Sequence, residues 1–361
     1  MTDRDGSGNS RLRRDRQFSD GTSIVSKLPS AADPRSRAYT TDRRLRALGG
    51  FLDARGRTKP IPESEFCNRV LCGDSASTLG LLPEGFATCA ITSPPYWNQV
   101  DYGTDGQVGD GSYQQYRDQL LEVWKAVFRA LKPNGKLCIN VPILPLRKEV
   151  SAEHFGRTHT RMILDLYADI RQDLLQNTEF QAYSLYIWEK QTTEKMFGSY
   201  PFPPNLYENN FIEYIAVFVK PGSPPKIPKP VKEAARLDSK QWMELIKQIW
   251  WMYPENVKRS EGHPAPFPLA LPNRLLHMYT FPGVATEGFE GDIVLDPFNG
   301  WGTTCVAAKR AGRRFVGIDL SPEFCTVACQ RLSATQLRPG ILEACRPSDR
   351  TDPQLGLFVE D

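Results

Sequence analysis

Six consecutive residues, Thr92-Ser93-Pro94-Pro95-Tyr96-Trp97, place a hydroxyl, a proline carbonyl and two aromatic rings in one short stretch. That set suits a flat guest with polar edges, such as a nucleobase. The element that must position it is the apolar run Ala87-Thr88-Cys89-Ala90-Ile91, which reads as a short buried strand. Two prolines then end the strand abruptly, because proline fixes φ and removes a backbone donor. A rigid loop at the C-terminal end of a strand is where open α/β sheets hold ligands. The plainer alternative is a proline-rich turn with a packed tyrosine.

A second group lies some 200 residues later. Ile293-Val294-Leu295 is expected as a buried strand running into Asp296-Pro297-Phe298-Asn299-Gly300-Trp301-Gly302-Thr303-Thr304, where a helix carrying Val306, Ala307 and Ala308 begins. Arg314 to Ile318 is the next strand, ending at Asp319. Glycines let a backbone approach a ligand, and an acid about 20 residues on can accept hydrogen bonds from ribose hydroxyls. The full GxGxxG pattern is absent, and the extra acid Asp296 would repel a pyrophosphate and favour a cation. S-adenosylmethionine fits, having a ribose, an ammonium and a sulfonium but no phosphate. The alternative is a glycine-rich turn in an ordinary βαβ unit.

The remaining elements follow from periodicity. Arg69-Val70-Leu71-Cys72 is a strand ending at Gly73-Asp74-Ser75. The loop 101–109 is glycine-rich. Tyr113 to Leu131 has helical spacing of Tyr116, Leu120, Val123, Trp124, Val127 and Phe128. Lys132-Pro133-Asn134-Gly135 is expected to stop that helix before a strand from Lys136 to Val141, giving a βαβ unit and a parallel sheet. An insertion, 143–178, holds an expected helix from Arg161 to Leu175. Gln181–Lys190 and Asn210–Lys220 are strand-like, and 221–240 is a Pro/Lys-rich excursion. Trp242 to Trp251 reads as partly helical, and His263 to Pro268 as an extended lead into a helix through Leu269–Tyr279. Pro322 to about Leu332 is the last helix, with Ser321 as its N-cap.

The chain has 361 residues, 40% of them hydrophobic and 11% aromatic, which suits a globular protein with a substantial core. No apolar run reaches the roughly 18 residues a membrane span needs, and the polar N-terminus lacks a signal-peptide stretch. Eight cysteines are scattered without a paired CxxC set, so no metal site is expected and a reducing cytoplasm is the simplest setting. Residues 1–60 carry 14 Lys/Arg against 7 Asp, and the rest of the chain is mildly acidic. This basic N-terminal arm is expected to be disordered or loosely packed. Residues 41–57 could form a short helix with Arg43, Arg44, Arg46 and Arg55 as phosphate contacts. It either meets a polyanion or stands as a solvated arm.

Taken in order, these motifs resemble the DNA amino-methyltransferases that modify exocyclic base nitrogens. Ser93-Pro94-Pro95-Tyr96 is similar to the family's catalytic motif, and Phe298-Asn299-Gly300-Trp301-Gly302 to its Phe-x-Gly-x-Gly cofactor motif. The catalytic motif comes first, as in the permuted β group. Gly73-Asp74 resembles the segment approaching the cofactor's adenine, and His263-Pro264-Ala265-Pro266-Phe267-Pro268 the one folding over its methionine part. Trp301 departs from the family, where a small residue is more usual.

The resemblance covers roughly residues 67–335 and implies an α/β, Rossmann-like S-adenosylmethionine-dependent methyltransferase sheet with circularly permuted motif order. The methyltransferase domain would span 61–335, with a target-recognition segment at 221–250 and a tail from 336 to 361. Arg147, Lys148, Arg157 and Arg161 of the insertion could share recognition. Ser93, Pro94, Pro95 and Tyr96 would act on a base flipped out of double-stranded DNA. Asp74, Pro266, Phe267, Asp296, Phe298, Gly300, Gly302, Thr303 and Asp319 would bind the cofactor. Trp97 would pack behind the base or serve as plain core. Serine at position 93 leans toward cytosine N4, with adenine N6 as the alternative within the family. A partner restriction endonuclease and a prokaryotic, nucleoid-associated location belong to the same expectation. Outside the family, a nicotinamide dehydrogenase leaves the Ser-Pro-Pro-Tyr motif unexplained, and a non-catalytic S-adenosylmethionine sensor that binds DNA leaves it unused.

Overall fold

Apolar runs rich in Val, Ile, Leu and Cys alternate with amphipathic helices, and in the computed structural model the runs line up as one mostly parallel sheet. Residues 50–97, 108, 109, 111–157, 162–190, 192, 197–204, 206–255 and 267–338 are described. The strands are β1 (Leu52–Asp53), β2 (Arg69–Cys72), β3 (Ala87–Thr92), β4 (Leu131–Leu146), β5 (Met162–Asp165) and β6 (Gln181–Lys190). They continue with β7 (Phe197–Gly198), β8 (Leu206–Tyr207), β9 (Ile212–Val219), β10 (Ile249–Met252), β11 (Ile293–Asp296) and β12 (Arg314–Asp319). In space the order is β1-β2-β12-β11-β3-β4-β9-β6-β10, with β5 antiparallel to the far end of β4 and β7–β8 a separate hairpin. β9 runs against its neighbours β4 and β6, and every other pair on that path is parallel.

Both faces of a mainly parallel sheet must be covered, and they are. Leu71, Ala90, Leu137, Ile139, Leu295 and Val316 pack on one side with apolar residues of the helices Tyr113–Ala130 and Leu166–Asn177. Val70, Cys89, Ile91, Val294 and Phe315 pack on the other with the helices Ala270–Tyr279, Thr303–Arg310 and Pro322–Ala334. Cys72, Cys89, Cys138, Cys305 and Cys325 are buried and free of disulfides. Among the described residues no cluster of His, Cys, Asp and Glu could hold a metal, and no helix is long and apolar enough to cross a membrane.

Three local expectations are corrected. Residues 50–57 are not helical: Leu52–Asp53 forms β1 beside β2, Ala54 is buried, and Arg55 pairs with Asp53 at 2.7 Å. The sheet therefore reaches into the expected arm. Residues 162–165 form β5, because they pair with Ile143–Leu146; Asp165 then caps the following helix by accepting from the Ala168 amide at 3.1 Å. Lys132–Gly135 ends the helix as expected but lies within β4, where the pairing jumps from Ala87↔Leu131 to Cys89↔Lys136. Asn134 there takes φ +63° and its N–H donates to Lys220 at 2.9 Å. The segment 221–250 holds the helices Lys229–Ala234 and Ser239–Leu245, then enters β10. The loop 101–109 lies outside the described residues except for 108 and 109.

Candidate active site

Strand order decides what meets. β2, β12, β11, β3 and β4 are parallel neighbours, so the loops leaving their C-terminal ends form one row. At the β3 end the Ser93 hydroxyl donates to the Asn140 main-chain carbonyl at 3.0 Å. It also lies 2.8 Å from the Tyr96 hydroxyl. The Pro95 carbonyl accepts from Tyr116 at 3.0 Å, which fixes the loop to the helix Tyr113–Ala130. Among the described residues nothing donates to the Pro94 carbonyl. Trp97 is fully buried, edge-on to Tyr113, His154 and Phe155, and its indole N–H donates to Gly111 at 3.2 Å. It is a core residue that anchors the loop from behind.

The second group sits beside the first. Thr92 donates to Asp296 Oδ1 at 2.6 Å, and the same oxygen accepts from the Phe298 amide at 3.1 Å. Burial pushes the Asp296 carboxyl up to about 6, against the pull of these donors. The Phe298 ring leans edge-on against Trp124. Gly302 takes φ +78° at the start of the helix Thr303–Arg310, and a Cβ there would lie 2.9 Å from Ala328 Cβ. The Gly300 amide donates to Asp319 Oδ2 at 2.7 Å, and the Ser321 amide to Oδ1 at 2.9 Å. Burial raises the Asp319 carboxyl to about 6 as well. Thr303 accepts from Arg331 at 3.2 Å, and Arg331 also holds the Trp301 carbonyl at 2.9 Å.

Asp74 follows β2 and caps the helix Ser75–Gly80, accepting from the Ser77 amide at 2.9 Å. The Gly73 amide donates to the Asp319 carbonyl at 2.9 Å, so these two loops are adjacent. Ser75 ties the row further by donating to the Pro297 carbonyl. Phe267 is buried in the core on the side of the helix Ala270–Tyr279; Pro266 and His263 lie outside the described residues. Asp74, Asp296 and Asp319 form no ion pair with any described residue. A row holding three carboxylates and two left-handed glycines suits a ligand with hydroxyls and positive charge better than a phosphate. That set of acceptors fits S-adenosylmethionine.

The motifs did not reveal Asn140, Glu213 and Lys190. Glu213 on β9 is buried; its Oε2 accepts from Asn140 Nδ2 at 2.6 Å and, more loosely, from Tyr96 at 3.5 Å, and its Oε1 from Lys190 at 3.0 Å. The signal was present: Asn140 interrupts Leu137-Cys138-Ile139-Asn140-Val141, and Glu213 interrupts Ile212-Glu213-Tyr214-Ile215. A polar residue inside a buried strand needs a partner.

Comparison with known proteins identifies the family. The profile of the DNA methylase family, of N6/N4 type, matches residues 87–330, and the chain belongs to that family. Type II methyltransferase M.MjaI of Methanocaldococcus jannaschii is 29% identical over 308 residues, covering 76% of this chain and 94% of its own. Type II methyltransferase M.MthZI of Methanothermobacter thermautotrophicus is 29% identical over 270 residues, covering 68% and 71%. A Thermus thermophilus protein described as a DNA modification methylase, solved with S-adenosyl-L-methionine, is 33% identical, with 75% and 96% covered and a TM-score of 0.57. The cytosine-N4-specific PvuII DNA methyltransferase shares the fold at 20% identity and a TM-score of 0.51.

Proposed function

We propose that this DNA methyltransferase moves a methyl group from S-adenosylmethionine to the exocyclic N4 of a cytosine flipped out of double-stranded DNA. The observation that carries the proposal is the orientation of Ser93. With its proton given to the Asn140 carbonyl and the Tyr96 hydroxyl donating to it, its oxygen keeps one lone pair for an incoming donor. The bound cofactor supplies an electrophilic methyl on a sulfonium. The protein must make the amino nitrogen a better nucleophile, because its lone pair is delocalised into the ring.

Ser93 Oγ and the Pro94 carbonyl would accept the two amino hydrogens. That draws the nitrogen toward tetrahedral geometry and stabilises the positive charge that develops on it. Holding the nitrogen against the methyl group supplies the rest. Tyr96, half-buried beside them, would stack on the base. Asp319 would hold the ribose and Asp74 the adenine side. Asp296, Phe298, Gly300, Gly302, Thr303, Pro266 and Phe267 would enclose the methionine side. The attack is on an exocyclic nitrogen, so no cysteine nucleophile is required. Relatives named as type II methyltransferases support a role in restriction–modification beside an endonuclease of the same site.

The test is incubation with S-adenosylmethionine and unmethylated mixed-sequence DNA, digestion to nucleosides and mass spectrometry. N4-methylcytosine is expected. N6-methyladenine would replace the base and keep the chemistry. Cofactor binding without any methylated base would sink the catalytic proposal.

A further inference from the structure

Asn140 carries an acceptor that no described residue uses. The residue is 2% exposed, and its side-chain Oδ1 is buried with no hydrogen-bond partner among the described residues. The amide cannot simply turn over: Nδ2 faces the Glu213 carboxylate at 2.6 Å, and Oδ1 in that place would set two acceptors against each other. Glu213 is itself held by Lys190 at 3.0 Å. Two fixed charges therefore hold an acceptor that satisfies nothing among the described residues. Leaving such an atom unsatisfied in a folded core costs free energy, so it needs an explanation.

Its position supplies one. Ile139 is the β4 partner of Thr92, which places Asn140 beside Ser93, and the Ser93 hydroxyl donates to the Asn140 main-chain carbonyl. The unused acceptor belongs to the residue next to the reactive hydroxyl. The chemical group that complements it is an N–H donor, and the exocyclic amine is the donor brought to this loop. The geometry points to Asn140 Oδ1 as a further acceptor for the amino group of the flipped base, sharing in a three-centre bond the hydrogen that Ser93 Oγ accepts, with Glu213 as the positioning residue that holds the amide. This inference rests on the amine-methylation proposal above. It applies equally to cytosine and adenine, because both present an amino group.

The test measures single-turnover methyl transfer at saturating DNA, together with S-adenosylmethionine affinity and thermal melting. For Asn140→Ala the rate is expected to fall about 10- to 100-fold with cofactor affinity unchanged. Asn140→Leu, which fills the side-chain volume, is expected to show the same loss and guards against a folding defect in the smaller variant. Glu213→Ala is expected to lose a similar factor. Glu213→Gln is expected to recover much of it, because its carbonyl oxygen can still accept from Asn140 Nδ2. Wild-type rates in Asn140→Ala and Asn140→Leu would overturn the role of Asn140, and a wild-type rate in Glu213→Ala that of Glu213. The nucleoside made by the unaltered protein is identified in the same assay. Failure of the cytosine assignment would thus appear there, separately from failure of this inference.

Discussion

Thr92 Oγ1 and Asp296 Oδ1 lie 2.6 Å apart although 204 positions separate them in the chain. Thr92 ends the strand that leads into Ser-Pro-Pro-Tyr, and Asp296 ends the strand that leads into the glycine turn. This buried hydrogen bond adds to the β3–β11 pairing that holds the two loops side by side. Thr92→Val keeps the shape and removes the donor. It is expected to destabilise the fold by about 1–3 kcal/mol, because a buried carboxyl loses a partner. Urea denaturation of the two proteins would measure this, and an unchanged midpoint would show that the link carries no energy.

Ser93→Ala should slow methyl transfer by about 100- to 1,000-fold, the cost typical of losing one group that stabilises developing charge. Affinity for S-adenosylmethionine should stay the same, since Ser93 belongs to the other loop. Single-turnover rates and calorimetry would check the pair of outcomes. A matching loss of cofactor affinity would count against the division of labour between the two loops.

Burial raises the Asp319 and Asp296 carboxyls to about 6, against a usual value of 3.8. The folded protein thus binds more protons than the unfolded chain between about pH 4 and pH 6. Their contribution to stability is greatest below about pH 4, and it declines as pH rises through 6. Cofactor binding should run the other way, because a ribose-binding carboxylate must be ionised. Affinity for S-adenosylmethionine is expected to rise through about pH 6, and Asp319→Asn should weaken binding and flatten that rise. Calorimetric titrations from pH 5 to pH 8 would decide it.

Gly302→Ala places a Cβ 2.9 Å from Ala328 Cβ at a backbone φ of +78°. The expected cost is about 1–3 kcal/mol. Adding Ala328→Gly should return only part of it, since that relieves the contact but not the backbone strain. Denaturation of both variants would separate the two contributions.

Deleting residues 1–40 should leave methyl transfer largely intact, whereas deletion through residue 56 should lower the melting temperature. The longer cut removes β1 from the edge of the sheet and the buried Ala54. Melting and activity of both truncations would test this. Loss of all activity in the shorter one, with its fold preserved, would show that the arm takes part in the reaction.

Local elements were legible because their causes are local. Proline-terminated β3, the helix Tyr113–Ala130, the glycine turn and the Ser321 cap are each written within a few residues. The helix expected over 161–175 failed at its start for the opposite reason. Met162–Asp165 has no strong period of its own, and pairing with Ile143–Leu146 decided its conformation. Likewise, Leu52–Asp53 is a strand because β2 lies beside it.

By itself, the sequence determined the two motifs, their flanking elements and the family to which they belong, since backbone stiffness and hydrophobic period act over neighbouring residues. Tertiary structure alone decided that Thr92 meets Asp296 and that Asn140, Glu213 and Lys190 gather behind Ser93. Those contacts depend on strand order and on which face of the sheet each residue occupies. Both are set by packing the whole chain around its two layers of helices, and no short stretch encodes them.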